Sequence, residues 1–168
     1  MISNETLRQL FITPNIRYYL HKKLAPVAPS EIDIRTEELL KYLVMSKHCN
    51  GDIPFNEEID EVWHLWILET QEYSALCQKI NGTENSYIHH SSSDYLEFSD
   101  PENKARLVDA DRLFNIVLSY VVNYGPFTAD RIVYWPLAKS IMQSSHWQID
   151  QFNNWLLTII NEQSSLCA

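Results

Sequence analysis

The residues of this chain best suited to do chemistry are Asp60, Glu61 and His64, in the run Ile59-Asp60-Glu61-Val62-Trp63-His64-Leu65-Trp66-Ile67-Leu68-Glu69-Thr70, together with the pair His89-His90. Histidine nitrogen combined with carboxylate oxygen is a ligand set for zinc or non-haem iron. The run is otherwise apolar, and a polar group in such a setting is costly unless it has a partner. On an α-helix Asp60 lies one turn before His64 on the same side, and Glu61 at i−3 is also within reach. A carboxylate there fixes the tautomer and orientation of an imidazole, as metal-bound and catalytic histidines require. Asp60 also offers a counter-charge where apolar surroundings would disfavour a lone imidazolium.

His89 and His90 point in opposite directions if their segment is extended, and could converge if it is a loop. Either one returning to His64 makes a two-histidine site, completed by Asp60 or Glu61. The plainer alternative stays open. A histidine paired with an aspartate one turn away is commonly structural, and adjacent histidines in a polar loop are commonly solvated. Trp66 lies roughly 200° and Cys77 about 220° around the helix from His64, so both face away from it. Trp63, Trp66, Thr70, Tyr73 and Cys77 form a separate stripe that reads most simply as core.

The elements that must position these groups are helical. Residues 4–23 read as helix broken at Thr13-Pro14, where Pro14 starts a second helix. Residues 25–29 carry two prolines and read as a linker. Ser30 caps a helix over 31–48, with Ile32, Thr36, Leu39, Leu40, Leu43 and Val44 on one face, and Asn50-Gly51 ends it. A central helix, apolar almost all round and therefore buried, covers about 56–80 and closes at Asn81-Gly82. Residues 83–99 read as an ordered loop folded back over that helix, because Tyr87-Ile88 is an apolar pair in a polar stretch. Pro101 opens the next helix, which stops at Gly125-Pro126. Residues 128–142 are helical, with Pro136 a point of division. Ser145 and Gln148 form a capping-box pattern ahead of a last helix lined by Ile149, Phe152, Leu156, Ile159 and Ile160. The expectation is an all-α, single compact domain over 1–168, with about six or seven helices around the buried central one.

Composition narrows the function classes. A chain of 168 residues, 45% hydrophobic, with five Trp, nine Tyr and six Phe, can bury a sizeable core in one domain. A net charge of −9 and the lack of a basic patch argue against nucleic-acid binding. No apolar run approaches the ~20 residues of a membrane span. The start, Met1-Ile2-Ser3-Asn4-Glu5, has no signal-peptide character. Cys49, Cys77 and Cys167 lack any CxxC spacing and fit reduced thiols in a cytoplasmic protein. No phosphate loop, Ser/His/Asp triad or dinucleotide fingerprint appears, so no nucleotide cofactor is expected.

The 59–70 run, with Tyr73, Cys77 and His89-His90, resembles the glycine-rich domain-containing protein-like family. Its pattern is roughly apolar-Asp-x-x-Trp-His-x-His-Ile-Leu-x-Thr-x-x-Tyr, then a Cys and a His-His pair. Asp60, Trp63, His64, Ile67, Leu68, Thr70, Tyr73, Cys77, His89 and His90 fall on it. The likeness covers about 37–95, leaving a C-terminal helical part at about 100–163. It implies a helical domain of uncharacterised role. This chain departs from the pattern by lacking a Gly-rich segment and by carrying Trp66 where the family has its second His. Positions i and i+2 diverge on a helix, so one ion would not take both.

Two function classes follow. In the first, Asp60, His64, His89 and His90 bind zinc or iron(II), with Glu61 and Tyr73 behind them and Glu61 available as a general base. In the second, the same residues form a buried polar network that pins the 83–99 loop, and the domain binds a protein or peptide partner without catalysis.

Overall fold

The computed structural model describes residues 1–46, 56–84, 86–90 and 110–166. Within them the chain forms α1 (Asn4–Phe11), α2 (Pro14–Lys23), α3 (Pro29–Ser46), α4 (Glu57–Leu68), α5 (Thr70–Asn81), α6 (Ala110–Tyr124), a 3₁₀ turn at Ile132–Tyr134, α7 (Pro136–Ser144) and α8 (Ile149–Leu166), and no strand. The fold is all-α, as the periodicity predicts. Local chemistry explains most boundaries. Ser3 and Thr13 cap α1 and α2 through their hydroxyls, and Pro14 sits in the first turn of α2. Gly82 (φ 71°) and Gly125 (φ 91°) take left-handed conformations that end α5 and α6. Pro136 opens α7.

Several boundaries differ from expectation. The helix predicted over 56–80 is two helices. Glu69, with ψ of 69°, leaves the helical region between α4 and α5, which brings the α-helices among the described residues to eight. The break also resets the buried stripe. Trp63, Trp66, Tyr73 and Cys77 are buried, but Thr70 is exposed. Nothing in the residue types at 68–70 announces the break. α3 begins at Pro29, so Ser30 lies inside it and does not cap it. Ser145 ends α7, and α8 opens with the amide of Gln148 donating to Gln151 Oε1 at 2.8 Å. The expected stop at Asn50-Gly51, the start at Pro101 and the loop beyond His90 lie outside the described residues.

The most deeply placed helix is α3, not the one carrying His64. It packs against α1, α2, α4 and α6. Its buried residues include Glu37, Glu38 and Lys41 beside the apolar Leu39, Leu40 and Leu43. Buried charges need full pairing, and these have it. Glu38 accepts from Lys41 Nζ (2.7 Å), Arg131 (2.6 Å), Trp135 Nε1 (2.8 Å) and the Tyr120 hydroxyl (3.2 Å). Glu37 accepts from Arg131 (2.6 Å) and from Arg8. The network ties α1, α3, α6 and the 3₁₀ region together. Beside it an aromatic cluster forms around Phe127, which stacks on Tyr120 with ring centroids 4.0 Å apart. Asn153 of α8 bonds both the amide and the carbonyl of Phe127, at 2.9 and 2.8 Å, and so fixes the turn after Gly125.

Candidate metal centre

α4 holds two of the candidate ligands. Asn56 caps it by accepting from the amide of Ile59, and Glu57, Glu58 and Asp60 occupy its first turn, where carboxylates suit the helix dipole. Ile59, Val62, Trp63 and Trp66 face inward. Glu57, Glu61, His64 and Leu68 face solvent. His64 is therefore not enclosed, as an all-round apolar helix suggests. Its side chain is 52% exposed and that of Asp60 is 36% exposed. Ile67, expected inside, is only half-buried.

The third candidate arrives on segment 86–90, a strap without regular structure that lies against α4 and α5. Tyr73 holds it. Trp63 Nε1 donates to the Tyr73 hydroxyl at 2.9 Å, and that hydroxyl donates to the carbonyl of Ile88 at 2.6 Å. Burial pushes the Tyr73 phenol well above its ordinary range, so it stays protonated as a donor. The amide of Ile88 donates to Cys77 Sγ at 3.4 Å. Ser86 adds bonds to the carbonyls of Thr83 (2.8 Å) and Cys77 (3.3 Å). With Ile88 anchored, the neighbouring histidines diverge as an extended pair must. His90 turns inward, with its side chain 11% exposed. His89 is exposed and packs beside Tyr87, with ring centroids 5.2 Å apart.

The result is a cluster of Asp60, His64 and His90, whose candidate ligand atoms all lie within 4.8 Å of one another. Asp60 Oδ2 is 3.1 Å from His64 Nδ1, and Asp60 Oδ1 is 3.0 Å from His90 Nε2. His64 Nδ1 also lies 2.9 Å from the carbonyl oxygen of Asp60. The two imidazoles meet edge to face at 4.6 Å, and His90 lies over the indole of Trp63 at 4.3 Å. Metal–ligand bonds of about 2.0–2.1 Å place neighbouring ligand atoms roughly 2.8–3.4 Å apart in octahedral or tetrahedral geometry. The two histidine–carboxylate contacts match that spacing, one at each oxygen of Asp60. A cation binding there would displace any proton on the nitrogens it takes.

The remaining candidates stand apart. His89 is not in the cluster, because alternation along the strap turns it away. Glu61 points to the other side of the exposed face, with Oε2 3.9 Å from an Arg35 nitrogen, so it does not back the site. Trp66 is 1% exposed, in the core, and its Nε1 meets no hydrogen-bond partner among the described residues. Cys77 is buried, and its sulfur is engaged by the strap. The groove between α1 and α2, about 670 Å³ and lined in part by Arg8, Arg17 and His21, is separate from the cluster. Each of those side chains is already bonded to a carboxylate: Arg8 to Glu5 and Glu37, Arg17 and His21 to Asp33.

Sequence reasoning misses the Glu37/Glu38 network. Its signal is faint, two acidic residues continuous with an apolar run that leaves no polar face for them.

Fold and site define an all-helical protein with a surface-facing two-histidine, one-carboxylate cluster. Compared with known protein families, with curated proteins and with solved structures, the chain matches none. No helix among the described residues is long and apolar enough to cross a membrane.

Proposed function

We propose that this chain is a divalent-metal-binding helical domain, with Asp60, His64 and His90 as ligands and zinc or iron(II) as the metal. The observation that carries this reading is the return of His90 from a separate segment onto an Asp/His pair already set one turn apart on α4, with all candidate ligand atoms within 4.8 Å. Two histidines and one carboxylate suit either metal. Three protein ligands leave coordination positions for water or substrate, and the exposure of His64 and Asp60 puts those positions toward solvent. Such a site is the open kind, able to polarise a bound oxygen or lower the pKa of bound water. Tyr73 supports it by holding the strap. The likeness of the 59–90 region to the glycine-rich domain-containing protein-like family belongs to this proposal too. With Trp66 buried, replacement of the family's second His leaves the cluster intact.

The test is elemental analysis of untagged protein, followed by zinc and cobalt(II) titration of wild type, Asp60→Ala, His64→Ala and His90→Ala. Stoichiometric metal in wild type and its loss in each variant supports the reading. Protein that neither carries metal nor binds added zinc or cobalt(II) rejects it. The interaction-module reading would then take its place, favoured by one observation: each oxygen of Asp60 already faces a histidine nitrogen at hydrogen-bond range.

A further inference from the structure

The cluster joins two elements, helix α4 and the irregular strap 86–90. Asp60 and His64 sit on one helix, one turn apart, and need no rearrangement to act together. His90 sits on the strap. The near end of the strap is tied to α5 through Tyr73, Cys77 and Ser86. Further along, His90 reaches α4 through Asp60 at 3.0 Å and through its ring over Trp63. Both contacts belong to the metal cluster or its immediate support. The strap also covers an aromatic floor. Trp63 is 2% and Tyr73 0% exposed, one beneath the His90 ring and the other faced by the Tyr87 ring at 5.1 Å.

We propose that metal occupancy of the Asp60–His64–His90 cluster controls whether strap 86–90 stays seated over Trp63 and Tyr73. The proposal rests on the metal reading above. An ion held by all three residues crosslinks the strap to α4, whereas an unseated strap offers it only the two helix ligands. The ion therefore binds the seated form more tightly and shifts the population toward it. Linkage makes the effect reciprocal: whatever seats the strap raises metal affinity by the same factor. This makes Tyr73 a positioning residue. Because Trp63 Nε1 donates to its oxygen, its own proton is directed to the Ile88 carbonyl, two residues from His90. Metal loss would then remove one tie of the strap, leaving the Tyr73, Cys77 and Ser86 bonds to hold it, and raise the share of molecules in which Trp63 and Tyr73 are uncovered. Large amphipathic aromatics of this kind dominate protein-binding surfaces.

The test is hydrogen exchange of the 86–90 amides in the full untagged chain, with and without zinc, alongside equilibrium dialysis to measure zinc binding. At a hundredfold excess of free zinc over Kd the shift is bounded at about 100-fold, and exchange of these amides is expected to slow at least tenfold. In His90→Ala zinc should leave their exchange unchanged. Tyr73→Phe should exchange faster without zinc, and its apparent zinc affinity should fall only in proportion to the seated fraction it loses. If Tyr73→Phe fails to fold, His90→Ala, altered on the strap itself, still decides. Zinc bound to wild type at one equivalent with no change in strap exchange overturns this inference and leaves the metal site standing. Absence of zinc binding overturns both.

Discussion

Glu38→Ala is expected to cost a large part of the stability of the fold. Glu38 is 1% exposed and accepts from four donors. Its removal leaves Lys41, 2% exposed, without a carboxylate at hydrogen-bond range among the described residues, facing the Tyr120 hydroxyl at 2.9 Å and the Tyr120 and Tyr124 rings. Trp135 Nε1 loses its acceptor, and Arg131 keeps only Glu37. The network then holds one buried carboxylate against Arg8, Lys41 and Arg131. Breaking a buried charge pair from one side costs about 3–5 kcal/mol, against a total stability of about 5–15 kcal/mol for a typical domain. For a chain of this length each kcal/mol lowers Tm by about 2–4 °C, so a fall of roughly 6–20 °C is expected by calorimetry. Glu38→Gln keeps the shape and one acceptor oxygen. It should cost nearly as much if charge is what Lys41 and Arg131 require. Pairing Glu38→Gln with Lys41→Met should recover part of the loss, and the double-mutant cycle isolates the coupling. A Tm within about 2 °C of wild type for Glu38→Ala would refute the reasoning, because surface-like substitutions cost no more than that.

Trp63→Ala should destabilise by about 3–5 kcal/mol, as a large-to-small core change does; a denaturant midpoint equal to wild type would place Trp63 outside the core. His64→Ala should abolish metal binding while changing stability by no more than about 0.5 kcal/mol, since its side chain is 52% exposed; dialysis and a thermal melt read the two effects separately. At alkaline pH, burial raises the phenols of Tyr73, Tyr120 and Tyr124, the last pushed up to about 12. A raised folded-state value means stability fully present below the unfolded value of about 10 and lost as pH rises through the folded one. Burial lowers the Lys41 amine and opposes this loss. Unfolding should therefore set in above about pH 10 with a late rise in tyrosinate absorbance, and titration of all tyrosines together near 10 without unfolding would contradict the burial.

The helices were legible wherever a residue type has a fixed local meaning. Thr13-Pro14, Gly82 and Gly125 each act on the backbone by themselves, and the apolar periods of α3 and α8 mark faces that every packing would bury. The pairing of Asp60 with His64 was legible for the same reason, because it follows from one turn of helix. The break at Glu69 was not, since local propensity allows α4 and α5 to run on and tertiary packing decides otherwise. Nor was the exposure of His64. An apolar composition says that a helix is largely covered, but its neighbours decide which arc stays open. The choice of His90 over His89 depends on the Tyr73–Ile88 bond, a contact between α5 and a segment with no period of its own. The burial of Glu37 and Glu38 was hidden most completely, because their partners Arg131 and Trp135 lie more than 90 residues along the chain.

That separation has a consequence for how the protein is made. A ribosome emits the chain from its N-terminus at about 5–20 residues per second. Through the synthesis of α4, the strap and α6, the carboxylates of α3 have no Arg131 or Trp135 to meet, so the core around them cannot close dry. The nascent chain must carry Leu39, Leu40 and Leu43 in an unfinished setting for several seconds, which is when a chaperone would find them. A fragment cut after the strap would hold Asp60, His64 and His90 and still arrest at that stage, with its charges unanswered.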